Sequence, residues 1–110
     1  MQDRKNRIQL WVARQGAIPP AIQAQWHAWL DPDEQQRWQR YARQEDRLGF
    51  LLGKALTRAV LAQWLDQAPQ QVAFSRDSWG KPHLAGTSAA AGLHFNLSHT
   101  PGMAVLAVSA

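Results

Sequence analysis

Between Glu45 and Leu65 the apolar residues Leu48, Leu51, Leu52, Ala55, Leu56, Ala59, Val60 and Trp64 recur at helical intervals. The spacing predicts one long helix with a broad face in the core, around which the shorter elements must pack. Gly49 and Gly53 lie four residues apart and clear one side of that helix, which predicts that something approaches it closely. Arg47, Lys54 and Arg58 follow at intervals of seven and four residues. At 1.5 Å per residue they predict a basic stripe roughly 16 Å long on a second face.

The remaining segments are short. Arg7 to Arg14 alternates Ile8, Leu10 and Val12 against Gln9, Trp11 and Ala13, the pattern of a half-buried strand ended by Gly16 and Pro19-Pro20. From Ala21, Ile22, Trp26, Trp29 and Leu30 predict a short amphipathic helix that stops before Asp31-Pro32. Asp31 then reads as an N-cap, with Pro32 in the first turn and Asp33 and Glu34 at the positive end of a helix that carries Arg37, Trp38, Arg40, Tyr41 and Arg43. Gln71 to Ser75 reads as a short strand, Arg76 to Gly80 as a polar turn, and Ala85 to Gly92 as a small-residue loop with little packing power. Leu93 to Leu97 and Met103 to Val108 read as neighbouring strands joined by a Pro-Gly turn, the second apolar on both faces and so interior. The expected fold is α/β in the α+β sense: one domain over residues 1–110, with a small, mainly antiparallel sheet of these four strands packed on the long helix.

Composition narrows the function. No run of about 18 apolar residues crosses a membrane, and no signal-peptide pattern follows Met1, so the reading is cytoplasmic. The absence of cysteine excludes disulfides, thiolate metal ligands and a Cys nucleophile. A net charge of +4 favours an anionic partner. The histidines lack metal-ligand spacing, so no metal site is expected. Trp26, Trp29, Trp38 and Trp64 sit at core spacing, whereas Trp11 and Trp79 are free to face solvent or ligand. A basic nucleic-acid binder using such tryptophans ranks last, because no nucleic-acid motif is present. Ser98 and His99, adjacent in an extended segment, point to opposite faces and make a poor nucleophile–base pair.

Trp79-Gly80-Lys81-Pro82 restricts the backbone on both sides of one lysine, which presents that cation to an anion. His94-Phe95-Asn96-Leu97-Ser98-His99 runs a strand into a hydroxyl and an imidazole, both able to donate to phosphate oxygens. The two motifs read as two walls of one phosphate pocket. Their order, preceded by "EDRLGFLLGKALTRAVL" and "AFSRDS", resembles the N-terminal half of the Sfp-type 4′-phosphopantetheinyl transferases, from about Asp31 to Val108.

The resemblance implies one half of a pseudo-two-fold fold with coenzyme A bound between the halves. It implies transfer of phosphopantetheine from coenzyme A to a serine of an acyl or peptidyl carrier protein, the holo-carrier-protein synthase reaction. By the same resemblance Lys81, Pro82, Ser98 and His99 meet the coenzyme A phosphates, and Arg37 helps hold the 3′-phosphate. Where some members carry a threonine, often after an arginine, this sequence has Phe50 and Gly49. That departure weakens the site or shifts its work to Arg47 and Lys54. The family's magnesium ligands belong to an acidic "G-x-D-x-E" strand and a "W-x-x-K-E" helix that are not in these residues. The chain is therefore expected to be the coenzyme A-binding half, inactive by itself, with no catalytic residue of its own. It would associate with its missing half or with a second copy. A non-catalytic coenzyme A- or carrier-protein-binding remnant, or a basic interaction domain, is the competing class.

Overall fold

The computed structural model describes residues 8–110. The chain runs β1 (Ile8–Arg14), α1 (Pro20–Trp29), α2 (Pro32–Arg40), α3 (Gln44–Leu65), β2 (Phe74–Arg76), β3 (Pro82–Leu84), β4 (His94–Thr100) and β5 (Met103–Ser109), with 3-10 turns at Pro69–Gln71 and Gly86–Ala91. Arg7, expected to open the first strand, and the Met1 region lie outside the described residues.

The long helix is the organiser the periodicity predicts. Glu45 and Asp46 sit in its first turn, against the positive end of the dipole, and Asp66 closes it in the left-handed region at φ 53°. Its buried band is displaced from the predicted stripe: Leu51, Leu52, Ala55 and Val60 are buried, Leu48, Leu56, Ala59 and Trp64 only half-buried, and the packing of the sheet, α1 and α2 draws in Phe50, Gly53, Thr57, Arg58, Leu61 and Ala62. Gly53 shows why one side was cleared: a Cβ there would stand 3.2 Å from Leu97 Cδ2 on β4. Gly49 is different, since a Cβ there would meet only the Gln15 Oε1 atom at 3.4 Å. Gly49→Ala is therefore expected to stabilise the fold by about 0.5–1 kcal/mol through helix propensity. Gly53→Ala should gain nothing, because Leu97 must shift. Urea unfolding of the two variants side by side checks this, and equal effects would count against the close approach.

One antiparallel sheet has the order β1-β5-β4, so β5 is central, as its two apolar faces require. Pro101 and Gly102 (φ 85°) close the β4–β5 hairpin in the arrangement a type II turn demands. Leu106 and Val108 of β5 meet Val60, Leu61 and Ala62 of α3, with Val72, to form the core, and Ala104 is buried on the same strand. β1 is less buried than the half-buried strand the sequence suggests, with only Ala13 half-buried. Trp11 pairs with Leu106 and so faces the helix, while Ile8, Leu10 and Val12 lie on the far side, 72%, 69% and 60% exposed. No element covers that side among the described residues, which leaves an apolar sheet face open.

Three other expectations change. Gln71 does not open a strand. Pro69 begins a 3-10 turn that the Gln71 side chain closes by accepting from the Ala68 N–H at 2.9 Å. The next strand, β2, does not join the main sheet but pairs with β3 alone, Phe74 opposite Leu84 and Arg76 opposite Pro82. The 85–92 segment is packed rather than idle. Fully buried Ser88 donates to Gln67 Oε1 at 3.0 Å and accepts from the Ala73 N–H at 3.1 Å, anchoring the segment by hydrogen bonds in place of apolar bulk.

Candidate ligand-binding site

The site is built from the α2 start. Asp31 accepts from the Glu34 N–H at 2.8 Å and Glu34 accepts from the Asp31 N–H at 3.0 Å, a reciprocal capping box. Glu34 is also buried, and its carboxylate receives the Arg58 guanidinium from α3. Arg58, 1% exposed, donates further to the carbonyls of Pro69 (2.9 Å) and Val72 (2.8 Å), reaches Asp31 at 3.4 Å and lies over the Phe74 ring. One buried cation thus fixes α2, α3 and the approach to β2 relative to each other.

Beside this cluster lies a hollow of about 240 Å³ between α2, α3, the β2–β3 hairpin and β4. Its walls include Arg37, Lys54, Thr57, Arg76, Pro82 and Phe95 together with Asp31, Asp33 and Glu34. The carboxylates are already engaged: Asp31 and Glu34 by the cap and Arg58, and Asp33 by Arg76 at 2.9 Å. Arg37 and Lys54 are not. Among the described residues neither makes a hydrogen bond or ion pair, and each instead rests 5.4 Å from the centre of the Phe50 ring. Burial holds the Lys54 ammonium below the usual lysine range; Glu34 counters the shift in part, and Arg37 and Arg58 add to it.

The other expected residues stand apart from this hollow. Lys81 leaves a tightly built turn in which Asp77 Oδ1 accepts from the N–H groups of Trp79 (2.9 Å) and Lys81 (3.0 Å), Asp77 Oδ2 meets His83 Nε2 at 2.9 Å, and Gly80 takes φ 83°. The hydrogen bond to His83, then those from Lys81 and Trp79, hold the Asp77 carboxyl below its ordinary range. The turn presents Lys81 as the sequence predicts, but into a separate hollow shared with His83 and His94. Trp79 at its tip is 92% exposed. Pro82, the next residue, lines the first hollow.

Ser98 pairs with Val105 and so faces away from the helix, while His99 pairs with Ala104 and faces it. His99 lines a larger groove of about 720 Å³ with Tyr41, Gly49, Phe50 and the Pro101-Gly102 turn. Lys81 and His99 therefore open onto different hollows, although both motifs line the first one through Pro82, Phe95 and Leu97. Arg47 is committed to holding the end of α2, donating to the carbonyls of Tyr41 (2.8 Å) and Gln39 (3.2 Å) with its guanidinium 5.0 Å from the Trp38 ring centre. The predicted basic stripe is thus three cations with separate surroundings.

Residues 20–110 match the sequence model of the 4′-phosphopantetheinyl transferase N-terminal domain. The chain belongs to the 4′-phosphopantetheinyl transferase family. It is 40% identical to the 4′-phosphopantetheinyl transferase HetI of Nostoc sp., over 74% of this chain and 35% of that protein. It is 32% identical to the transferase gsp of Aneurinibacillus migulanus over 73% of this chain and 32% of that protein. With the transferase Sfp of Bacillus subtilis the identity is 29%, over 66% of this chain and 31% of that protein. The chain spans about a third of the length of the curated relatives it matches.

Membership directs attention to residues that the sequence reading passed over. Phe50, noted only as a departure, is the ring on which both unpaired cations rest. Arg76, read as turn, lines the hollow beside Pro82, its cross-strand partner, a neighbour that only the pairing of β2 with β3 supplies. Magnesium does not fit these residues: among those described, no group of three or more His, Asp or Glu side chains is placed to hold a metal ion. No described helix is long and apolar enough to cross a membrane.

Proposed function

We propose that the whole protein is a cytoplasmic 4′-phosphopantetheinyl transferase and that this segment forms its coenzyme A phosphate-binding wall. The observation that carries the reading is the pair of unpaired cations, Arg37 and Lys54, facing a small hollow within a family domain. Pro82 lines that hollow and His99 an adjoining groove; Lys81 and Ser98, which open elsewhere, are assigned to the longer part of the cofactor by the family resemblance alone, and Arg47 supports the wall by fixing the end of α2.

In the reaction a serine oxygen of the carrier protein attacks the β-phosphorus of coenzyme A. The bond to adenosine 3′,5′-bisphosphate breaks, the bisphosphate leaves with the bond's electron pair, and the serine proton passes to a carboxylate or water supplied from outside this segment. The residues here bind and orient: they fix the departing nucleotide by its phosphates so that the diphosphate is held for in-line attack. Magnesium and its carboxylates belong to parts of the protein outside the matched segment. The open apolar face of β1 and β5 supports a reading in which that second, pseudo-two-fold half packs against this one.

The test is transfer by the full-length protein to an apo carrier protein, followed by the carrier's intact mass. A gain of one phosphopantetheine with coenzyme A and magnesium, lost on chelation, is expected. Coenzyme A binding without transfer to fatty-acid, polyketide or peptide carriers would favour the non-catalytic reading instead.

A further inference from the structure

The hollow onto which Lys81 opens measures about 270 Å³ and gathers Lys81, His83 and His94 among otherwise apolar side chains. Strand alternation puts Lys81 and His83 on one face of the β2–β3 hairpin, and β4 brings His94 to them. No carboxylate lines this hollow, but Asp77 is bonded to two of its lining residues. It accepts the Lys81 N–H through Oδ1 at 3.0 Å and meets His83 Nε2 through Oδ2 at 2.9 Å. Both carboxylate oxygens are thus engaged within the turn, and among the described residues the Lys81 ammonium has no ion pair.

The charge at this hollow depends on one proton. The hydrogen bond to His83, then those from the Lys81 and Trp79 N–H groups, favour the ionised Asp77 carboxyl, so it stays negative wherever an imidazole titrates. While His83 is neutral, the charge of Asp77 offsets that of Lys81 and repels an entering anion. Once His83 is protonated, its contact with Asp77 is a closed ion pair and the charge of Lys81 is uncompensated. Both partners are open to solvent, so the proton exchanges with water. His94 is the other titratable side chain facing the hollow, and among the described residues it has no carboxylate partner. Arg76, in the same hairpin, is held by Asp33 and lines the first hollow instead.

We propose that Asp77 and His83 form a pH-sensitive control on the Lys81 turn: a proton on His83 neutralises Asp77 and strengthens the hold of Lys81 on a phosphate-bearing ligand, and loss of that proton weakens it. Asp77 is then a positioning residue in two respects, since its Oδ1 atom shapes the turn and its charge sets how strongly Lys81 attracts an anion. This rests on the coenzyme A reading above and deepens it, adding a regulator that touches Lys81 and not the cofactor.

The experiment is calorimetric titration of the full-length protein with 3′-dephospho-coenzyme A between about pH 5.5 and 8.5, the range that spans imidazole titration. Both phosphates of that ligand sit in its diphosphate bridge, so its charge is constant there, unlike that of a phosphomonoester, whose second ionisation lies near pH 6. Affinity is expected to rise roughly fivefold from the alkaline to the acid end, the effect of one unit charge a few ångströms away in a wet site. His83→Gln, whose amide still donates to Asp77, should stay near the wild-type alkaline value throughout. Asp77→Asn, whose amide oxygen still accepts the Trp79 and Lys81 N–H groups, should bind more tightly than wild type at the alkaline end. A purely structural role would leave the wild-type slope in His83→Gln and give Asp77→Asn no gain. A slope that survives His83→Gln and disappears in His94→Gln would put the titrating group on β4. Either result, or a flat wild-type curve, overturns the proposal and leaves the coenzyme A reading standing. Wild-type protein that binds neither coenzyme A nor its dephospho form overturns that reading too.

Discussion

Arg58→Met is expected to cost about 3–5 kcal/mol of stability, the usual penalty for breaking one side of a buried ion pair. A domain of this size holds roughly 0.05–0.15 kcal/mol per residue, so the loss takes a large part of the whole. The size follows from what is stranded. Glu34 would keep a buried charge, and the carbonyls of Pro69 and Val72 would lose their donor in a region closed by Phe74. Methionine fills similar volume, so the penalty is chiefly electrostatic. Arg58→Met combined with Glu34→Gln should recover a substantial part, because the stranded charge is gone while glutamine still completes the capping box. Urea melts of the single and double variants decide the matter; a single variant within about 1 kcal/mol of wild type would mean that water relieves the cluster.

Arg37→Met with Lys54→Met is expected to move stability and binding in opposite directions. Removing two cations that make no ion pair should raise stability by about 1 kcal/mol, while coenzyme A affinity falls on the order of a hundredfold. The pH dependence identifies the Lys54 share. Its folded pKa lies below the ordinary 10.5, so between the two values the unfolded chain holds more protons than the folded one. Stability from this group therefore rises as pH climbs through that window and is lowest below it. The advantage of Lys54→Met over wild type should shrink as the pH approaches 10.5. Thermal melts across alkaline pH measure this, and an advantage independent of pH would mean that the charge of Lys54 is not what the fold disfavours.

The parts of this molecule that were legible in the sequence are those decided locally. The α2 cap needs only Asp31, Pro32 and Glu34 within one turn, and α3 announces itself by period. The β4–β5 hairpin needs its Pro-Gly turn and the apolar run after it. Family membership was legible too, since it rests on ordered motifs. What escaped depends on distant partners. Arg58 reads as one of three cations on a basic stripe, with no particular carboxylate as its partner, until Glu34, 24 positions earlier, folds against it. The alternation of β1 gives two faces but not which one is buried, because that choice belongs to Leu106 on β5. Ser88 looks idle in a run of small residues, since the atoms that hold it come from Gln67 and Ala73. The site follows the same rule. Lys81 and its turn were readable, whereas Phe50 registered only as a missing threonine, and the gathering of Arg37 and Lys54 on one ring needed α2 and α3 side by side.

The measurement that bears most directly on the whole account is titration of coenzyme A into the full-length protein, in parallel with Arg37→Met. Binding that depends on the 3′-phosphate and collapses in the variant is the predicted result. Binding that is indifferent to both, or confined to residues outside this segment, would contradict the assignment of the phosphate wall to these elements.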